Sequence, residues 1–365
     1  MNFVQVPLSS ASPLRIAMIG VGRPLNTPGA TGFGMAHRHM AGYQAYGGCE
    51  LVALVDTNRE NAEAFASEHN PEAAIFEDHL RMLAVARPDV VSVCLWPHLH
   101  AEVVCALAES EHRPRIIFCE KPMDVHWDAC LRMHAACEAN GVMLTINHQR
   151  RFNLPLLKAK EILDRGDLGD LRSLRGGWHN LSDAGTHVLD MMFYYNQDIP
   201  ATWVLGQVDT RECNRKFGAV QAGHGITEIR FENGVHGVYH FGKDHEELGC
   251  LLRIVAERGV IEVLNEEPWL RMIRHGQTAW EIIDTGENIH DDQAIYRAIA
   301  DFLDAHQEGR IPQMHSSIAL RPTEVIFATH ASSQQRARIN LPLPPGPDAL
   351  LAMIESAELQ PVFTE

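Results

Sequence analysis

The sequence predicts a two-domain α/β protein: a doubly wound parallel sheet, followed by a domain built on an antiparallel sheet with a few helices. Three observations carry this. The first part alternates short apolar runs with helical stretches. The second part switches to in–out alternation with hairpin turns. At 365 residues, the chain is too long for one ordinary core.

The apolar runs of the first part are "RIAMIG" (15–20), "ELVALVD" (50–56), "DVVSVCLW" (89–96), "RIIFCEK" (115–121) and "VMLTIN" (142–147). They are rich in Val and Ile and lack polar alternation, as strands of a parallel sheet buried on both faces do. Stretches such as "NRENAEAFASEH" and "HAEVVCALAES" supply the helices between them. After about residue 150, "GITEIRFENGVHGVYHFG" places Thr227, Ile229 and Phe231 on one face and Glu228, Arg230 and Glu232 on the other. Asn233-Gly234 predicts a two-residue hairpin turn there. "LLRIVAERGVIEVL" (251–264) reads as a second hairpin. Helices over "QAIYRAIADFLDAH" and "RPTEVIFATHASSQQRAR" follow, then an extended exit at "LPLPPGP" (341–347). The expected divisions are an arm (1–13), the parallel-sheet domain (14–148), the second domain (149–343) and a tail (344–365).

Hydrophobic residues make up 45% and charged residues 21%, the balance of a globular protein. A net charge of -16 argues against nucleic acid or an anionic membrane as partner. No apolar run approaches the roughly 20 residues of a membrane span. "MNFVQVPLSSASP" lacks the pattern of a secretory signal, and "PVFTE" carries no lipidation box. The 8 cysteines include no CxxC pair, and several sit in apolar runs. A reducing cytoplasm is therefore the expected location, with no zinc or disulfide framework.

"GVGRPLNTPGATGFGMAH" (20–37) begins as a dinucleotide loop, Gly20-x-Gly22, but delays its third glycine. The acidic residue that binds the adenosine ribose lies about 20 positions past that loop. Asp56, ending the second apolar run, stands at that distance from Gly34 and too far from Gly22. The loop is thus read as intact, with about nine extra residues inserted before its third glycine. The helix beginning near Gly34 still offers its N-terminus to a pyrophosphate. Asp56-Thr57-Asn58 has no adjacent arginine, which favours NAD over NADP, although Arg59 is close.

Ligands of such sheets bind beyond the carboxyl ends of the strands. "LWPHLH" follows one strand there and "CEKP" (119–122) the next. Lys121 could hydrogen-bond a substrate hydroxyl and stabilise the developing alkoxide; alternatively it is a strand-end lysine reaching water. In "NLSDAGTHVLDMMFYY" (180–195), Asp183 and His187 would share a helix face. The imidazole suits proton removal and the carboxylate suits orienting it. Ser182-Asp183 also resembles a helix cap, and Asp190 is a rival partner for His187. His37-x-His39 and His98-x-His100 lack further ligands at convincing spacing, so no metal is expected.

Together these residues resemble the glucose–fructose oxidoreductase / inositol dehydrogenase / MocA family, over roughly residues 14–343. The resemblance rests on the loop ending in "GMAH", "VALVDTNRENAEAFA", the Pro97…His100 turn and "EKP". It continues through "NHQRRFNLPLLKAKEILDRGDLGDL", "DAGTHVLDM" and "ALRPTEVIFATHASSQQRARINLPL". It implies a Rossmann NAD(P) domain and a C-terminal α/β domain whose open, mostly antiparallel sheet often makes oligomer contacts. It implies Lys121 at the reacting hydroxyl, His187 as general acid/base supported by Asp183, and Arg151 near the substrate. Gly20, Gly22, Arg23, Gly34, Asp56, Trp96, Pro97, His100, Glu120 and Lys121 would line the cofactor, with Glu120 against its ribose. The insertion puts the contacts of Gly22 and Arg23 in question. Trp96 replaces a commonly small residue.

The expected function is NAD-dependent oxidation of a secondary hydroxyl on a sugar, sugar derivative or cyclitol, by a homodimer or homotetramer. Two other readings use the same parts. One is redox-neutral glycoside cleavage with tightly held NAD. The other is a non-catalytic dinucleotide-binding regulator, for which the Lys121, Asp183 and His187 set would be superfluous.

Overall fold

A computed structural model describes residues 12–210, 213–216 and 218–356. Most of the expected arm, and the "PVFTE" end of the tail, lie outside the described residues. The chain divides into two compact units. The first contains residues up to 125, 129–149 and 295–319; the second contains 126–128, 150–294 and 320 onward.

The first unit is a six-stranded parallel sheet of β1 (Leu14–Ile19), β2 (Cys49–Val55), β3 (Ala74–Phe76), β4 (Val90–Val93), β5 (Ile116–Cys119) and β6 (Met143–Ile146). The order is β3-β2-β1-β4-β5-β6, the doubly wound arrangement with its switch point between β1 and β4. β1, β4, β5 and β6 are buried almost throughout, which explains their unbroken apolar runs. Their connections carry α1 (Met35–Tyr46), α2 (Arg59–His69), α3 (His79–Ala86), α4 (His100–Glu109) and α5 (Trp127–Asn140). α2 is started by Asn58, whose side chain accepts from the Glu60 and Asn61 amides.

One segment expected in the second domain belongs here. Residues 295–319 cluster with the first unit. Phe302, fully buried, lies 4.9 Å from the Phe118 ring of β5 and 6.4 Å from Tyr43 of α1. The Tyr46 hydroxyl donates to Asp304 at 2.7 Å, and the Ile146 amide of β6 donates to Met314 at 2.9 Å. The sequence shows that "QAIYRAIADFLDAH" has an apolar face; only the fold shows which sheet covers it.

The second unit adds α6 (Leu154–Asp164), β7 (Leu171–Trp178), α7 (Gly185–Tyr195) and β8 (Ala201–Asp209). A small hairpin, β9 (Asn214–Lys216) with β10 (Ala219–Gln221), precedes β11 (His224–Phe231) and β12 (His236–Gly242). β13 (Leu252–Ala256), β14 (Gly259–Val263), β15 (Leu270–Arg274) and β16 (Glu281–Ile282) follow. α8 (Gln293–Glu308) then crosses to the first unit, and α9 (Ser316–Gln335), β17 (Ile339–Asn340) and α10 (Ala349–Glu355) complete the described chain. The nine-stranded sheet runs β16-β15-β14-β13-β7-β12-β11-β8-β17, antiparallel except where β12 lies parallel to β7. α7 is buried along its whole length in this unit's core.

Both expected hairpins form. β13 and β14 close with Ala256 opposite Gly259. β11 and β12 differ from expectation in their turn. The Phe231 amide donates to Val235, so three residues (232–234) form the loop, with Gly234 at φ 85°. This is a turn closed by a left-handed residue, not a two-residue one. The expected tail is partly packed: Leu350 and Met353 of α10 join the second core.

Replacing Phe302 with Ala should lower stability by about 3–5 kcal/mol, the usual cost of emptying a buried aromatic site. Urea unfolding measures this, and an effect below about 1 kcal/mol would show that α8 is not part of the first unit's core.

Candidate active site

The glycine loop is built as the fingerprint requires. Gly20 follows β1 at φ 78°, and a Cβ there would lie 2.7 Å from Leu95 Cδ2 and 2.9 Å from the Cys94 carbonyl. Gly34 is the left-handed N-cap of α1 at φ 63°, where a Cβ would meet the Arg23 carbonyl at 2.9 Å. No side chain caps α1, so the dipole and amides of its first turn face the loop. Nothing lies within 4 Å of the Cβ position of Gly22. The half-buried Asp56 carboxylate, just past β2, accepts from the Val21 amide at 2.9 Å, Gly22 at 3.2 Å and Asn58 at 2.8 Å. Beyond β6, Asn147 Oδ1 is buried without a hydrogen-bond partner. A dinucleotide fits these features: a turn held open by glycine, an uncapped helix start and an acidic strand end.

The insertion folds upon itself. Arg23 Nε donates to Asn61 at 2.9 Å and its Nη1 to the Pro28 carbonyl at 2.8 Å, while Nη2 lies 3.7 Å from Glu60. Arg23 thus ties residues 23–33 to the start of α2. Expected among the cofactor-lining residues, Arg23 has its side chain engaged within the insertion and with α2.

Past β4, Trp96 is 45% exposed and precedes a short 3-10 turn (Pro97–Leu99) whose proline is buried. His100 is fully buried, with Nδ1 3.0 Å from the Pro122 carbonyl and Nε2 3.0 Å from the Leu95 carbonyl. Expected to line the cofactor, it braces the loop after β4 against the loop after β5 with its side chain.

Past β5, Glu120 is buried and holds a network. His39 Nε2 donates to Oε1 at 2.9 Å, and Asn147 Nδ2 donates to the same oxygen at 2.7 Å. Oε2 accepts from the Lys121 amide at 3.3 Å. Burial pushes the Glu120 carboxyl up, but His39, Asn147 and Lys121 outweigh it and hold the group below its ordinary value. Glu120, expected against the cofactor ribose, also anchors the backbone of half-buried Lys121.

In the second unit, a turn (181–184) after β7 leads into α7. The helix start is fixed by Asn180, whose Oδ1 accepts from the Ala184 amide at 2.8 Å. Asp183 therefore lies ahead of the helix and is not its cap. Its carboxylate, buried, takes Lys216 Nζ at 2.6 Å. His187, also buried, is in the first turn of α7. The rival Asp190 is claimed elsewhere: both its oxygens accept from Arg151 at 2.8 Å.

That pairing corrects the expectation for Arg151. It is 1% exposed, and Asp198 adds two further hydrogen bonds at 2.8 and 3.0 Å. Burial lowers its affinity for a proton, but the two carboxylates raise it above the ordinary arginine value. Arg151 is a buried structural ion and is not turned to a substrate. Its neighbour Arg150 is the residue that sequence reasoning missed. Arg150 is buried, its guanidinium sits 4.2 Å from the Trp178 ring centre, and its Nη1 has no hydrogen-bond partner. Burial alone pushes it down to about 9. The "RR" doublet was visible, but spacing does not say which arginine the carboxylates claim. Trp178 also lines a cavity of about 540 Å³ with His179, His245, Glu246, Asn265 and His290.

Residues 14–148 match the model of an oxidoreductase family with an NAD-binding Rossmann fold. An inositol 2-dehydrogenase of Gluconacetobacter diazotrophicus is 41% identical over 131 residues, covering 35% of this chain and 37% of the relative. The D-glucoside 3-dehydrogenase of Escherichia coli is 29% identical over 206 residues, covering 51% and 54%. The chain thus spans about a third to a half of the length of these curated relatives. The WlbA dehydrogenase of Bordetella pertussis, solved with NADH and UDP-GlcNAcA, superposes with a TM-score of 0.71 over 91% of this chain and 99% of its own, at 18% identity. That likeness concerns the fold. Among the described residues, no helix is long and apolar enough to cross a membrane. Over residues 14–148 the glycine loop and the strand order agree with this match, and the first unit is similar to the NAD-binding Rossmann domain of that oxidoreductase family.

Proposed function

We propose that the chain is an NAD-dependent dehydrogenase of a secondary hydroxyl on a sugar, sugar derivative or cyclitol. The observation that carries this reading is Lys121, held at a strand carboxyl end by an ionised, buried Glu120 in a domain whose dinucleotide loop is complete. The relatives named for inositol and D-glucoside support a polyhydroxylated ring as substrate.

The first unit holds the cofactor with Gly20, Gly22, the start of α1 and Asp56. Asp56 favours a free ribose hydroxyl, hence NAD. Bound NAD supplies the hydride acceptor. The Lys121 ammonium donates to the substrate hydroxyl oxygen and stabilises negative charge as it develops. His187 removes the hydroxyl proton, and the Asp183–Lys216 pair fixes the turn that leads into its helix. Arg150 offers Nη1 to a substrate oxygen, and its lack of a carboxylate partner among the described residues suits substrates that carry an acidic group. Leu205 and Ile226 are 44% and 40% exposed on the second sheet, and a second copy of the chain as homodimer or homotetramer would cover them.

Lys121→Ala and His187→Ala should each lower kcat/KM by about 100-fold or more on the true substrate, in steady-state assays of NADH formation. Wild-type turnover in both variants would remove their assigned roles. Asp56→Ala should weaken NAD binding about 10–100-fold and narrow the preference over NADP, measured by calorimetric titration. An unchanged ratio would reject Asp56 as the ribose ligand. Arg150→Met keeps the bulk over Trp178 and should raise KM about tenfold or more with a smaller effect on kcat. A KM that stays put would assign Arg150 to structure alone.

A further inference from the structure

His37-x-His39 does not turn its two imidazoles the same way. His39 points inward to Glu120, while His37 faces α2 and meets Glu68 and His69. One ligand atom from each of His37, Glu68 and His69 lies within 4.8 Å of the other two. We propose that these three side chains form a zinc-type divalent metal site, with two imidazole nitrogens, one carboxylate oxygen and water completing a tetrahedral shell. The site is independent of the dehydrogenase reading.

His37 has a backbone hydrogen bond at Gly22, but hydrogen bonding among the three side chains does not account for the cluster. His37 Nδ1 is 3.7 Å from Glu68 Oε2 and His69 Nε2 is 3.9 Å from Glu68 Oε1, both beyond hydrogen-bond length. The Nε2 atoms of both histidines are buried without a hydrogen-bond partner. Burial, opposed by Glu68, lowers the proton affinity of each ring below the ordinary histidine value.

The surroundings suit a metal. Phe65 walls the cluster, its ring 4.7 Å from His37 and 4.4 Å from His69. Gln44 Nε2 lies 3.5 Å from His69 Nδ1; turning the amide over would put its oxygen there, to accept Nδ1–H and leave Nε2 for a metal. Glu68 is 59% exposed and adjoins His69 at the end of α2, so it can swing in. Ligand atoms in a tetrahedral shell stand about 3.3 Å apart, which small side-chain rotations reach from 4.8 Å. Two imidazoles and one carboxylate select zinc, cobalt or nickel over calcium or magnesium. Such an ion would tie the end of α2 to the first turn of α1, three residues past Gly34.

The test uses the full chain freed of metal by a chelator, then titrated with Zn²⁺ by calorimetry and with Co²⁺ by visible absorption. Wild type should take up one Zn²⁺ that Glu68→Gln and His69→Gln bind at least about tenfold more weakly. Co²⁺ should give the intense visible bands of a tetrahedral site, lost in both variants. Glu68→Gln alters an exposed side chain, so its metal-free thermal midpoint should match wild type and keep the comparison fair. Zn²⁺ uptake equal in wild type and both variants, a Co²⁺ spectrum of octahedral type, or no wild-type binding below about 1 mM would overturn the site.

Discussion

The carboxylate of Glu120 is the constraint on which the first unit's chemistry depends. An ionised carboxylate with almost no contact with water is unfavourable unless its oxygens are satisfied. Here His39 and Asn147 satisfy one oxygen and the Lys121 amide the other. Cys94 Sγ lies 3.5 Å from His39 Nδ1. Burial and Glu120 keep that thiol protonated, so it can donate weakly and leave the imidazole proton on Nε2, where Glu120 needs it. His39 is stacked on Phe118 at 4.2 Å, and Phe118 packs on Phe302. An unbroken set of contacts thus runs from α8 to the backbone of Lys121. Because the folded-state proton affinity of Glu120 is below its ordinary value, its contribution to stability is present above the usual carboxylate range. It is lost as pH falls through the folded value.

The adjacent arginines show the same electrostatic rule applied twice, with opposite results. Arg151 is buried with two carboxylates, so its charge locks the start of α6 to α7 and the turn at Asp198. Arg150 is buried with a tryptophan face and no carboxylate among the described residues. A guanidinium over an indole recovers only part of its lost hydration. What remains is an unmet demand for oxygen acceptors at Nη1. Arg151 is paired by carboxylates, and its neighbour is left short of them.

Much of the fold was legible because burial writes a pattern. Strands covered on both faces read as unbroken Val/Ile runs, and β11 alternates because only one face is covered. β3 escaped notice because its three residues are only partly covered and carry no such run. The delayed third glycine was locatable from Asp56, since the strand–helix–strand unit fixes that distance whatever lies in the loop. Side-chain partners were not legible. Nothing in "HLH" says that His100 will bridge two loops, or in "HRH" that His37 and His39 will diverge. Nor does "RR" tell which guanidinium is paired. These outcomes are set largely by residues distant in the chain, such as Glu120 for His39 and Asp190 for Arg151, which local periodicity does not encode.

The insertion illustrates why such a departure leaves the nucleotide site intact. It enters after Gly22 and leaves before Gly34, so neither the β1 register nor the α1 start has to move. Lengthening a flexible spacer about fivefold costs about 1.5 kcal/mol in closure entropy. Arg23 offsets this by bonding Pro28 within the insertion and Asn61 on α2, and the Thr27 and Ala30 amides add turns of their own. The added residues are therefore a folded flap anchored at the α2 start, next to the Asp56 carboxylate that orients the Val21 and Gly22 amides. A loop tied down on that side is held beside the end of β2, while the strand end that carries Lys121 stays as the sheet places it.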